Sequence, residues 1–254
     1  MAPSAPTIVL VPGAFVDAGG WAPVVELLLA EALRVVVPAL EYRSLAADAA
    51  TVRSCIDGVG GPVLLVGHCY GGAVATVAGT HAAVVGLVYV AGHALDVGES
   101  ITSLEGTFDD AGLGDHLVRE ERAGSVHGTQ TSLTVSVDRF PDVVADGLQL
   151  EIARILAVSQ RPVAAQALDE RSDRAAWRTT PTWGVVARDD QVVSPALQRH
   201  VYARAGARAV VELDGPHLVM HTHPLDVVEV LRAALGDLDR SWATRSHHLT
   251  HPAR

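Results

Sequence analysis

The stretch Val63-Leu64-Leu65-Val66-Gly67-His68-Cys69-Tyr70-Gly71-Gly72 decides how this chain is read. An apolar run ends in Gly-x-Cys-x-Gly-Gly, and the small-residue segment Ala73-Val74-Ala75-Thr76-Val77-Ala78 follows at once. Such a run, bounded by glycines, predicts a buried strand that turns sharply into a helix. Glycines flanking the turn let strand and helix approach closely and leave room beside a strained backbone. Cys69 is then presented at the carboxyl edge of a sheet above a helix N-terminus, the arrangement of a nucleophile elbow. Serine usually fills that place, so cysteine here predicts covalent chemistry through sulfur.

Outward from that turn, short apolar runs alternate with helical patterns. Strands are predicted at Thr7–Val11, Arg34–Val37, Val63–Val66, Val85–Val90, Thr182–Ala187 and Ala209–Leu213. Helices are predicted near Trp21–Glu31, Leu45–Asp57, Gly71–Thr80, Pro195–Ala205 and Pro224–Leu235. This alternation predicts an α/β fold, a mostly parallel sheet of about six strands flanked by helices. Pro195 and Pro224 suit a first helical turn, where no N–H is needed. The alternation stops between Leu95 and Trp177, an interval rich in turns with one amphipathic pattern, Val143–Ala157. There Val144, Leu148, Ile152, Ile155 and Leu156 share a side, which is expected to pack chiefly on the sheet. Residues 95–177 are therefore read as a helical cap inserted after the fourth strand, between core segments 1–94 and 178–238. Beyond Leu238 the composition turns to Arg, Ser, Thr and His, and residues 239–254 read as a loosely held tail.

Of the 254 residues, 49% are hydrophobic and 19% charged, which suits one full core carrying an insertion. A net charge of −10 argues against a basic face for nucleic acid. All 19 basic residues are arginine, so Schiff-base chemistry on a protein lysine is excluded, and a lysine-using phosphate loop with it. Two cysteines do not make a disulfide framework, and Cys55 falls in the helical pattern of Leu45, Val52 and Ile56 and reads as core. The apolar run Ile8–Val11 is too short for a signal peptide or a membrane span. The expectation is a cytoplasmic protein with a small-molecule acyl substrate and neither nucleic acid nor membrane as partner. Its oligomeric state is left open, a homodimer included.

Covalent catalysis needs a nucleophile, a base and a group that orients the base. Behind an elbow, the acid should follow a later strand and the histidine should come last. Thr182–Ala187 is followed by Arg188-Asp189-Asp190-Gln191, and Ala209–Leu213 by Asp214-Gly215-Pro216-His217. The chain order Cys69, Asp190, His217 meets the requirement, with Asp189 as runner-up acid and Asp96 a more distant alternative. An oxyanion hole takes one amide from the residue after the nucleophile and one from an earlier loop. Those are Tyr70 and, in Val11-Pro12-Gly13-Ala14-Phe15, Ala14, with Phe15 as the alternative donor. Phe15, His93 and Asp17 are candidate pocket residues; Asp17 equally suits a helix cap, and His93 suits pocket lining or core.

Thr7–Trp21, the elbow, Val88-Tyr89-Val90-Ala91-Gly92, Gly98-Glu99-Ser100, Ser159-Gln160-Arg161-Pro162 and Asp190…His217…His223-Pro224 together resemble a compact subgroup of the α/β-hydrolase superfamily. That subgroup is similar to small bacterial esterases and, more distantly, to plant methylesterases and hydroxynitrile lyases. The resemblance runs to about Leu235 and implies the α/β-hydrolase fold and a cofactor-free Ser-His-Asp hydrolase. This chain departs from it in three places. Pro12-Gly13 replaces His-Gly, Cys69 replaces serine, and Gly92-His93-Ala94 stands where relatives more often carry small or aromatic residues. Cysteine elbows also occur on this fold, in dienelactone hydrolases and polyester synthases.

The expected activity is hydrolysis of a small ester, thioester or lactone through an acyl thioester on Cys69. Two other classes compete: an acyltransferase, cyclase or lyase of specialised metabolism, and a non-catalytic ligand-binding receptor. His217, His221 and His223 resemble a ligand cluster, but the family pattern accounts for two of them, so no metal is expected. His68, at the variable position of the elbow, reads as a packing residue.

Overall fold

The computed structural model describes residues 5–109, 111–123 and 129–250. The first part alternates through β1 (Thr7–Val11), α1 (Ala22–Ala30), β2 (Val35–Val36), α2 (Leu45–Val59), β3 (Val63–His68), α3 (Tyr70–Ala78) and β4 (Val84–Val90). An inserted stretch follows, with α4 (Ile101–Glu105), β5 (Leu117–Ala123), β6 (Thr129–Val135), α5 (Phe140–Val143), α6 (Leu150–Val158), β7 (Val163–Ala164) and α7 (Ala165–Asp169). Alternation then resumes with β8 (Thr182–Ala187), α8 (Pro195–Arg204), β9 (Val210–Leu213), α9 (Val219–Thr222) and α10 (Pro224–Thr250).

The main sheet has six parallel strands in the order β2-β1-β3-β4-β8-β9. Strands β1, β3 and β8 are buried along their whole length, as Val/Ile/Leu-rich strands covered on both faces must be. Helix α1 lies against α10, and α2 against α3. From β1 the chain builds outward to β2 on one side, and from β3 to β4 on the other. The crevice at the carboxyl ends of β1 and β3 is thus the topological switch point, where open α/β sheets place their sites. Pairing Val11 with Gly67 sets the loop after β1 directly beside the turn after β3.

The inserted stretch differs from a purely helical cap. It carries a three-stranded sheet, β5-β6-β7, with β6 antiparallel to both neighbours. Of the predicted helix Val143–Ala157 only Leu150–Ala157 is helical as one piece, within α6; Val143 closes α5, and residues 144–149 turn between the two, with Gly147 at φ +74, a value no α-helix accepts. Only part of its apolar side is covered: Ala153 and Leu156 are buried, whereas Ile152 and Ile155 are exposed. The last helix runs through Thr250, past the predicted end at Leu235, because no proline interrupts the chain before Pro252. Residues 251–254 of the expected tail lie outside the described residues. Among the described residues no helix is long and apolar enough to cross a membrane.

Candidate active site

Cys69 closes β3 and caps α3 with φ 51° and ψ −122°, a backbone shape that side-chain-bearing residues adopt only under strain. Its carbonyl accepts from Gly72 N at 2.9 Å, which locks the turn. The neighbouring glycines are required by contact. A Cβ on Gly71 would lie 2.4 Å from the carbonyl oxygen of Val11, and one on Gly67 would lie 2.4 Å from that of Gly71. Strand β1, the turn and helix α3 therefore touch backbone to backbone.

Asp190 follows β8 and is buried, while its neighbour Asp189 is exposed. His217 Nδ1 lies 2.9 Å from Asp190 Oδ2 and 3.0 Å from Oδ1, which decides between the two carboxylates. The more distant alternative, Asp96, is held by Arg178 instead. Asp190 Oδ1 also accepts from the amides of Val192 and Val193 at 2.8 and 2.9 Å. Its Oδ2 accepts from Gln198 Nε2 at 2.8 Å. Gln198 is fully buried, and its own Oε1 accepts from Ala187 N at 3.0 Å, tying the acid loop to the end of β8. Sequence reasoning missed Gln198; a lone amide within the apolar pattern Leu197, Val201, Tyr202 was the available signal.

Burial disfavours an imidazolium at His217, but the opposing charges of Asp190 and Cys69, and hydrogen bonds to both, raise its pKa to about 10. His68 packs beside it, ring centroids 4.5 Å apart, with Nε2 3.2 Å from the His217 carbonyl oxygen. Burial and the neighbouring histidines hold His68 well below its ordinary pKa, so its ring is neutral and supports the backbone of His217. His221 meets the Gly19 carbonyl and His223 the Thr222 hydroxyl. Among the described residues no three His, Cys, Asp or Glu side chains gather as a metal ion would require.

The loop after β1 is shaped from behind by two tyrosines. Tyr42 Oη stands 2.8 Å from the Gly13 carbonyl oxygen and 2.9 Å from that of Val16. The amide of Tyr42 and the hydroxyl of Tyr70 both donate to the buried carboxylate of Asp48, at 3.2 and 2.7 Å. Asp48 thereby couples this loop to the first residue of α3. Burial raises the pKa of Asp48, against the lowering effect of these hydrogen bonds. Phe15 takes φ 63° at the loop's tip. Ala14 N has no protein partner among the described residues, and Tyr70 N lies in the first turn of α3, where helix amides are left unbonded.

A cavity of about 370 Å³ opens on these groups, lined by Ala14, Phe15, Cys69, Tyr70 and His93 together with residues of the inserted stretch. Phe15 and His93 line this cavity. Asp17 does not line it; its carboxylate accepts from Gly19 N at 2.7 Å and caps a short 3-10 turn, the plainer of its two readings.

The fold is that of an α/β-hydrolase. Residues 8–230 match the Alpha/beta hydrolase family, and the chain belongs to that family. No curated protein matches it by sequence. Among solved structures it is similar to polyneuridine aldehyde esterase, at 15% identity and TM-score 0.77 over 91% of this chain and 99% of that one. It is also similar to tomato methylketone synthase I, determined with 2-tridecanone, at 16% identity and TM-score 0.75 over 92% and 99% of the two chains. A pyrethroid hydrolase from Sphingobium faniae JZ-2 matches at 18% identity and TM-score 0.72 over 92% and 98%.

Proposed function

We propose that this protein is a hydrolase of small esters, thioesters or lactones that uses a Cys69–His217–Asp190 triad and an acyl-thioester intermediate. The observation that carries the reading is the His217–Asp190 pair at 2.9 Å, with the strained Cys69 in contact with the same imidazole and open to the cavity. His217 holds the proton drawn from the thiol, and the sulfur attacks the substrate carbonyl carbon. The resulting oxyanion is received by the amides of Ala14 and Tyr70. Collapse breaks the bond to the leaving group, which takes the proton from His217. Water then gives a proton to His217 and attacks the thioester; collapse releases the carboxylic acid and leaves the sulfur facing the protonated His217, as at the start. Asp190 stays ionised and keeps Nδ1 protonated throughout.

A second reading, transfer of the acyl group to an acceptor other than water, is favoured by the sulfur itself, since thioesters acylate amines and thiols readily. Product analysis with and without a nucleophilic acceptor separates the two. The primary test compares wild type, Cys69→Ser and Cys69→Ala on p-nitrophenyl acyl esters. Wild type turns over, and Cys69→Ala loses about a thousandfold or more of kcat. Turnover that survives in Cys69→Ala removes the proposal.

A further inference from the structure

The cavity wall beside Cys69 holds a second histidine–carboxylate pair that the triad does not use. His93 is buried, and its Nδ1 lies 3.3 Å from the Cys69 carbonyl oxygen while Nε2 lies 2.8 Å from Glu105 Oε1. Both partners are acceptors, so the imidazole satisfies both only when each nitrogen carries a proton. Burial works against that charge, but the hydrogen bond and charge of Glu105, together with Cys69, raise the pKa of His93. The positive charge of His93 is thus committed to Glu105, and the remaining carboxylate oxygen, Oε2, has no hydrogen-bond partner among the described residues. Glu105 and Asp109 both line the cavity, whose other walls include Ile101, Phe108 and Leu168, and among the described residues no arginine lines it.

An apolar cavity with a fixed acceptor and no free cation has a definite preference. It rewards a hydrogen-bond donor on the substrate and penalises a carboxylate, which would be desolvated against like charge. We propose that Glu105, anchored by His93, is the recognition point for a hydroxyl or ammonium group carried on the acyl arm of the substrate. This rests on the reading of Cys69 as the acyl acceptor and assigns the substrate class of that site. The anchor rests on this chain's departure at His93, since a small or phenyl side chain there has no donor for the carboxylate.

The test uses p-nitrophenyl esters whose acyl chains are matched in length and end in methyl, hydroxyl, ammonium or carboxylate, repeated over several lengths. At the length that reaches Glu105, the hydroxyl or ammonium ester exceeds the methyl and carboxylate esters in kcat/KM by about tenfold or more. Glu105→Gln and His93→Phe bring that ratio toward one; a ratio taken within one protein is insensitive to a general loss of fold. A ratio near one at every length in wild type, or a ratio preserved in Glu105→Gln, overturns the proposal. Calorimetric binding of alkylammonium ions and alkanols against alkanoates, in wild type and Glu105→Gln, reads the same preference without hydrolysis. Absence of any acyl adduct on Cys69 would count against the triad, whereas equal binding of all three ligand types would count against the subsite alone.

Discussion

His217 faces Cys69 on one side and Asp190 on the other, and its proton is held by both. Its folded-state pKa of about 10 lies above the ordinary 6.5, so the stabilisation from its charged form is complete below the ordinary value and is lost as pH rises through about 10. The background-corrected kcat/KM of wild type should therefore fall on the alkaline side near that value. In Cys69→Ser the attraction from sulfur is gone and His217 must be neutral to accept the hydroxyl proton, so kcat/KM should rise with pH through a lower His217 pKa; the wild-type alkaline fall persisting in Cys69→Ser would show that sulfur does not hold the proton. The backbone of Cys69 makes an independent prediction. At φ 51° a glycine fits and an alanine does not, so Cys69→Gly should exceed Cys69→Ala in stability by about 1 kcal/mol in urea unfolding. Equal stabilities would mean the turn is not strained. At this scale the sequence was most legible at the elbow, where glycine spacing announces a close approach. It was least legible between Asp189 and Asp190, because adjacent carboxylates differ only in which one the loop turns inward.

The loop after β1 and the start of α3 work as one unit because Tyr42, Tyr70 and Asp48 join them from behind. Tyr42→Phe removes the hydroxyl that meets the Gly13 and Val16 carbonyls while leaving the ring in place. It should lower kcat by about tenfold with little change in KM, since a loose oxyanion loop weakens binding of the transition state more than of substrate. A wild-type kcat in Tyr42→Phe would leave the tyrosine a packing role only. The strands of the main sheet were readable because each is a short apolar run between turn residues. The β5–β6 hairpin was not, because Leu117–Ala123 carries Arg119, Glu120, Glu121 and Arg122 and lacks the apolar alternation of a half-buried strand. Glu105 escaped notice for a related reason: α4 has only five residues, too few to show a period.

Across the whole molecule, the inserted stretch is fastened to the core by Arg204 of α8. Its guanidinium meets both Glu99 oxygens at 2.6 and 2.8 Å and the Ala94 carbonyl at 2.9 Å, and it lies over the Trp177 ring. Burial raises the Glu99 pKa, but the hydrogen bonds and charge of Arg204 outweigh it and leave the value lowered. The stabilisation from this carboxylate is therefore present in full above the ordinary glutamate range and lost as pH falls from there through the lowered folded value. Thermal unfolding of wild type should show that acid-dependent loss, and Arg204→Leu, starting less stable, should show less of it; parallel profiles would contradict the assignment. The order Cys69, Asp190, His217 was legible because this fold visits its sheet edge in a set sequence. The cavity was not, because its walls come from a segment whose path depends on contacts such as Arg204–Glu99 and not on local pattern.

Intact-mass spectrometry during turnover of a p-nitrophenyl ester tests the central claim most directly. Wild type should gain the mass of one acyl group, mapped by peptide fragmentation to Cys69, and Cys69→Ala should gain none. Turnover with no adduct under any quench, or an adduct that persists in Cys69→Ala, would contradict the account.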